Sequence, residues 1–202
     1  MLRKLLLLSL LTLVATCHAG PPTELASPLV TLATPEKGIV CSGVAVGLNT
    51  VLTAKHCLQN NTEEAVSYNG VSCPTDKVVA DDGTDNVLVS TCQTYPATAK
   101  TAKGALAIGD QVSMWGHAGG LPWLFRRGYL SGAVFTRYVY LDSLSYVFDM
   151  SVLPGDSGAP IFNEKNQVVC SVSYSWGMPF KGDQLGACFP LKFTTAQLEL
   201  IK

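Results

Sequence analysis

Short β-branched runs, each closed by a turn residue, recur along almost the whole chain, and no long amphipathic helix interrupts them. A first series falls at residues 39–46, 51–54, 66–68, 78–79 and 87–91, bounded by Gly47-Leu48-Asn49, Asn69-Gly70 and Asp82-Gly83. A second falls at 111–115, 129–134, 138–141, 146–150, 159–162 and 167–174. Strands at this spacing predict an all-β sandwich or barrel. Residues 95–104 are polar and alanine-rich without clear periodicity, and read as the connector between two halves. Residues 194–201 read as a short closing helix with Thr194 as its cap.

The first nineteen residues stand apart. Arg3-Lys4 is a basic start, the following stretch to Val14 is apolar except for Ser9 and Thr12, and small residues lead to Ala19-Gly20. The apolar part is too short for a membrane span of roughly 20 helical residues and fits a signal peptide, 1–19, cleaved after Ala19. A lipoprotein reading would lipidate Cys17, but Thr16 before it is a poor fit to that signal. Without the leader the formal charge moves from −1 to −3, because Arg3 and Lys4 leave and no acid does. A mildly acidic chain gives no electrostatic reason to expect nucleic acid or an anionic membrane as a partner. With 48% hydrophobic and 14% charged residues, the chain is expected to bury a real core.

Removing Cys17 leaves Cys41, Cys57, Cys73, Cys92, Cys170 and Cys188. An even number in an exported chain reads as disulfides, with 15 pairings open. Only His18, His56 and His117 are available as imidazole ligands. A catalytic metal is therefore not expected. His117, in a glycine-rich stretch, reads as a loop residue. Asn60 heads an Asn-x-Thr sequon, which matters only in a glycosylating host.

Two segments carry chemistry. Pro154-Gly155-Asp156-Ser157-Gly158-Ala159-Pro160 would display a serine hydroxyl on a tight turn, with backbone N–H groups aimed where an oxyanion forms. Cys41-Ser42-Gly43 and Val51-Leu52-Thr53-Ala54-Lys55-His56-Cys57 set a histidine at the end of a β-branched strand, beside a cysteine able to tie it to Cys41. A histidine so held is suited to general-base work. These segments resemble the two signature segments of the chymotrypsin-like serine peptidases, and the sequence interval from Cys41 to His56 matches that family's histidine-loop disulfide. Residues 81–89 resemble the third segment, where an aspartate leads into an apolar strand. Asp85 is the best match and Asp82 the runner-up. The order His, Asp, Ser is right for this family and wrong for subtilisins or α/β-hydrolases.

The resemblance implies two antiparallel six-stranded β-barrels with a short C-terminal helix, over 28–100 with His56 and Asp85 and over 105–202 with Ser157. It implies His56, Asp85 and Ser157 as the triad, and the N–H groups of Gly155 and Ser157 as the oxyanion hole. It implies no cofactor and no metal, a protein or peptide substrate, a monomer, and secretion or a periplasmic location. Cys41–Cys57 follows from the family. Cys73–Cys92 and Cys170–Cys188 fit two self-contained barrels. Ser151 falls at the floor of the primary pocket, with Ser175-Trp176-Gly177 pairing with substrate, or Ser173-Tyr174 in an alternative register. A neutral Ser151 favours large apolar or aromatic side chains, unless Asp183 turns inward and restores a basic preference. The segment after Ala19 does not resemble the Ile-Val-Gly-Gly start of activated animal enzymes, so Asp156 is expected to find another partner. The competing readings are an inactive or latent binding protein on the same fold, and a serine esterase. The second has the wrong motif order.

Overall fold

The computed structural model describes residues 28–34, 38–58, 65–121, 123–138, 141–176 and 185–201. The proposed leader, Asn60, Gly177 and Asp183 lie outside them.

Six strands make the first barrel: β1 (Leu29–Thr34), β2 (Gly38–Gly47), β3 (Thr50–Ala54), β4 (Ala65–Tyr68), β5 (Val71–Asp81) and β6 (Asn86–Thr91). All pairs are antiparallel, in the order β1-β2-β3-β6-β5-β4, and β1 closes on β4. After β7 (Lys100–Thr101), the second barrel follows with β8 (Gln111–Gly116), β9 (Leu124–Tyr138), β10 (Leu141–Ser151), β11 (Pro160–Asn163), β12 (Gln167–Trp176) and β13 (Leu185–Cys188). Its order, β8-β9-β10-β13-β12-β11 closed by β11–β8, repeats that of the first barrel. The chain ends in α1 (Thr195–Glu199), where Thr194 forms a capping box with Gln197.

The apolar runs are continuous rather than alternating because the central strands are covered on both faces. Val51, Val87 and Val89 point into the first barrel, while Leu52, Leu88 and Val44 join Phe162 and Val168 in a layer between the barrels. Met114, Leu130, Phe148 and Ile161 fill the second barrel. Burying both faces holds the two halves in a fixed mutual position, and the functional site depends on that.

Several sequence expectations need correction. The two six-stranded barrels are antiparallel as expected, but the connector at 95–104 contains a short strand, β7, which pairs in parallel with β12 outside them. The run at 138–141 is divided between two strands, Tyr138 ending β9 and Leu141 beginning β10, which pair with one another. β1 and β13 had no counterpart in the sequence reading. β1 pairs with the following strand β2 and with β4, and β13 pairs with the preceding strand β12 and with β10. The disulfides are Cys41–Cys57, Cys73–Cys92 and Cys170–Cys188. Such bonds fit an oxidising compartment outside the cytoplasm. Among the described residues no helix is long and apolar enough to cross a membrane.

Candidate active site

All five residues of β3 are buried, and the strand runs directly into a 3₁₀ turn, Lys55–Leu58, that carries His56. Cys57 in that turn is bonded to Cys41 in β2. The neighbouring strand is β6, and the register Ala54↔Asn86 sets Asp85 beside the turn. Three bonds follow. Lys55 N donates to Asp85 O at 2.7 Å, His56 N donates to Asp85 Oδ1 at 2.9 Å, and His56 Nδ1 lies 2.8 Å from Asp85 Oδ2. A carboxylate only accepts, so Nδ1 carries the proton and Nε2 is left as the basic nitrogen. Asp85 is 5% exposed, which keeps water from competing for it.

Asp82 faces elsewhere. Its carboxylate accepts from Thr84 N (2.8 Å), Thr84 Oγ1 (2.5 Å), Asn86 Nδ2 (3.0 Å) and Lys192 N (3.0 Å). It braces the loop ahead of β6 against the C-terminal segment, and Asp85 alone meets the histidine.

The turn bearing Ser157 docks against the same end of β3. A Cβ on Gly158 would collide with Ser42 O and Thr53 Oγ1 and would stand 3.1 Å from Ala54 N, two residues before His56. Glycine is required there for that close approach, and its φ is +79°. Every carbonyl from 154 to 157 has a partner: Pro154 O takes Gly119 N (2.6 Å), Gly155 O takes Ser42 Oγ (2.7 Å), Asp156 O takes Ala159 N (2.8 Å) and Ser157 O takes Ser42 N (2.7 Å). Of the donors, Asp156 N goes to Leu153 O and Gly158 N to Val172 O. Among the described residues, the N–H groups of Gly155 and Ser157 have no backbone acceptor. Buried backbone groups are almost always paired, and two spare donors on one turn, one on each side of Asp156, are an arrangement suited to receiving an anion.

Asp156, 0% exposed, binds Arg126 in β9 through both terminal nitrogens, Nη1 to Oδ2 at 2.7 Å and Nη2 to Oδ1 at 3.2 Å. Leu153 N donates to the same carboxylate at 2.9 Å. Any side chain at Gly116 would run into it. The partner of Asp156 is thus a side chain of the second barrel.

Ser151, Ser175 and Trp176 are exposed, Ser151 and Trp176 both pair with Leu185 of β13, and Tyr174 is stacked at an angle beside Trp176. Ser173 is buried. A Cβ on Gly186 would stand 2.8 Å from Val152 Cγ1 and 3.1 Å from Met150 O, so β13 lies close against the chain on either side of Ser151. Cys41, His56 and Cys57 lie together, but both sulfurs are used in the disulfide and are not thiolate ligands. The residues that the sequence reading overlooked are Ser42, Asn86 and Arg126. Each is polar within a strand or at its start, and its partner is far away in sequence.

The trypsin-like peptidase domain family matches residues 41–170, which hold all three candidate catalytic residues and most of both barrels. The chain belongs to this family. As a trypsin-like peptidase it is a serine endopeptidase. No curated protein matches it in sequence. Solved structures similar to this peptidase include the Rv3671c protease of M. tuberculosis in its active form, with TM-score 0.74 and 18% identity, covering 89% of this chain and 84% of that one. The inactive form of the same protease gives TM-score 0.71 and 18% identity, covering 89% and 92%. At that identity the likeness is one of fold.

Proposed function

We propose that this peptidase cleaves peptide bonds with Ser157 as nucleophile, His56 as base and Asp85 as the group that orients the imidazole. The observation that carries the reading is the His56 Nδ1–Asp85 Oδ2 bond of 2.8 Å, made at the strand end on which the Ser157 turn docks. Ser157 Oγ forms a bond to the scissile carbonyl carbon while its proton passes to His56 Nε2. The carbonyl π electrons move to oxygen, and the N–H groups of Gly155 and Ser157 receive that oxyanion. When it collapses, the C–N bond breaks and His56 returns the proton to the leaving amine. Water then attacks the acyl-enzyme by the same route and frees Ser157. Asp85 stabilises the imidazolium that appears in both steps.

The neutral Ser151, the apolar Val152 after it and the exposed ring of Trp176 support preference for a large apolar or aromatic side chain before the scissile bond. Residues 1–19 are proposed to direct export, and the three disulfides support a location outside the cytoplasm.

The test compares Asp85→Asn with Asp82→Asn on a chromogenic peptide panel. Asp85→Asn is expected to lower kcat by about 10⁴, because the wrong imidazole tautomer is favoured. Asp82→Asn is expected to keep kcat within a few-fold of wild type. Equal effects would remove Asp85 from the mechanism.

A further inference from the structure

We propose that Ser42 is a positioning residue for the oxyanion hole, holding it from the opposite barrel; the inference rests on the catalytic reading above. Ser42 lies in β2, is 0% exposed, and spends each of its polar groups on this site. Its N–H donates to Ser157 O at 2.7 Å, its hydroxyl donates to Gly155 O at 2.7 Å, and its carbonyl accepts from Thr53 Oγ1 at 2.8 Å.

The hydroxyl bond matters because of where Gly155 sits. Gly155 has φ +98°, and a Cβ there would run into His117 O, so the position is held by a residue with little intrinsic stiffness. The two peptide planes that meet at Gly155 are each anchored from outside the turn. Gly119 N–H fixes the plane that carries the Gly155 N–H, through Pro154 O at 2.6 Å. The next plane is held from inside the turn by the bond from Asp156 N to Leu153 O at 3.0 Å and from outside it by the Ser42 hydroxyl through Gly155 O. Without the hydroxyl, a buried carbonyl loses its partner, and rotation about Gly155 becomes the means of finding another. Such rotation would turn the Gly155 N–H away from the developing oxyanion.

Position adds a second consequence. Cys41 precedes Ser42 and is bonded to Cys57, the neighbour of His56. The base and the oxyanion donors are therefore fixed from one short stretch of β2, although they belong to different barrels. Ser42 sets their spacing.

The experiment measures kcat and KM on one peptide p-nitroanilide, and inhibition by the matching peptide aldehyde, for wild type, Ser42→Ala and Ser42→Thr. An aldehyde adduct puts a negative oxygen in the hole and so reports on the hole itself. Removing a direct oxyanion donor costs about 10²–10³ in kcat, so loosening one is expected to cost at least about tenfold. Ser42→Ala should therefore lower kcat by that much, leave KM within about twofold, and weaken the aldehyde by the same factor as kcat. Ser42→Thr, which keeps the hydroxyl, should recover most of the loss. Ser42→Gly repeats the comparison with a second residue that lacks the hydroxyl, should Ser42→Ala fail to fold. Wild-type kcat and aldehyde affinity in a folded Ser42→Ala or Ser42→Gly protein would overturn the proposal, as would a loss confined to KM and thermal stability. An inert wild type would instead overturn the catalytic reading, and that outcome is seen before any variant is compared.

Discussion

Arg126 grips Asp156 with both terminal nitrogens, at 2.7 and 3.2 Å, and Asp156 is wholly shut off from water. The next residue in the chain is Ser157. Arg126 also donates to Ser151 O at 3.2 Å, so a single guanidinium ties the approach to the turn to its middle. Arg126→Met would strand a buried carboxylate, and breaking one partner of such a pair costs about 3–5 kcal/mol. Urea unfolding should show a loss of that size, with activity lost as well. Arg126→Lys should recover only part, because an ammonium cannot make the planar two-point contact. Adding Asp156→Asn to Arg126→Met should restore some stability, since the stranded charge is gone.

Asn86 follows Asp85 and is fully buried. Its amide donates to Phe189 O at 3.0 Å, and its carbonyl oxygen accepts from Ser171 Oγ at 2.8 Å and Ser171 N at 3.2 Å. It therefore joins the start of β6 to the second barrel one residue before Val172, whose carbonyl holds Gly158. Asn86→Leu would leave several of these groups unpaired, each costing about 1–3 kcal/mol. Chemical denaturation should show destabilisation of about 2–4 kcal/mol, and the drop in kcat should exceed any change in KM.

These ties explain what could be read from the sequence. His56 and Ser157 stood out because the turn around each needs particular neighbours: a cysteine beside the histidine, glycines beside the serine. Asp85 was separated from Asp82 only by the apolar strand that follows it, and the side-chain bonds of both now account for the difference. Arg126 and Asn86 left no local trace. Arg126, one of the pair Arg126-Arg127, looks like a surface cation until the fold brings Asp156 beneath it. β13 is only four residues long, Leu185–Cys188, with Gly186 inside it, so it carries little strand signal of its own.

Tyr95 is 1% exposed and gives a pH dependence of known sign. Burial raises its pKa above 10.0, and the nearby Tyr68 adds to this, while the hydrogen bond with Thr91 opposes it. The folded protein thus keeps the phenolic proton at a pH where the unfolded chain has lost it. The unfolded state binds fewer protons there, so stability falls as pH rises. The contribution is complete below pH 10.0 and is lost above it as pH climbs through the folded value. Urea midpoints measured on either side of pH 10 should fall more steeply for wild type than for Tyr95→Phe.

The disulfides should separate stability from activity. Cys41–Cys57 and Cys73–Cys92 span 16 and 19 residues, so each is expected to contribute about 3 kcal/mol on a chain-entropy view. Only the first holds the His56 turn. Paired alanine substitutions at Cys41 and Cys57 should lower both the unfolding midpoint and kcat. The same change at Cys73 and Cys92 should lower the midpoint by a similar amount and leave kcat close to wild type.

Labelling with a fluorophosphonate, followed by mass mapping of the modified peptide, tests the central claim most directly. Wild type should carry one adduct, on Ser157, while Ser157→Ala should carry none and His56→Ala should react far more slowly. An adduct on another residue, or equal labelling of wild type and Ser157→Ala, would contradict the account.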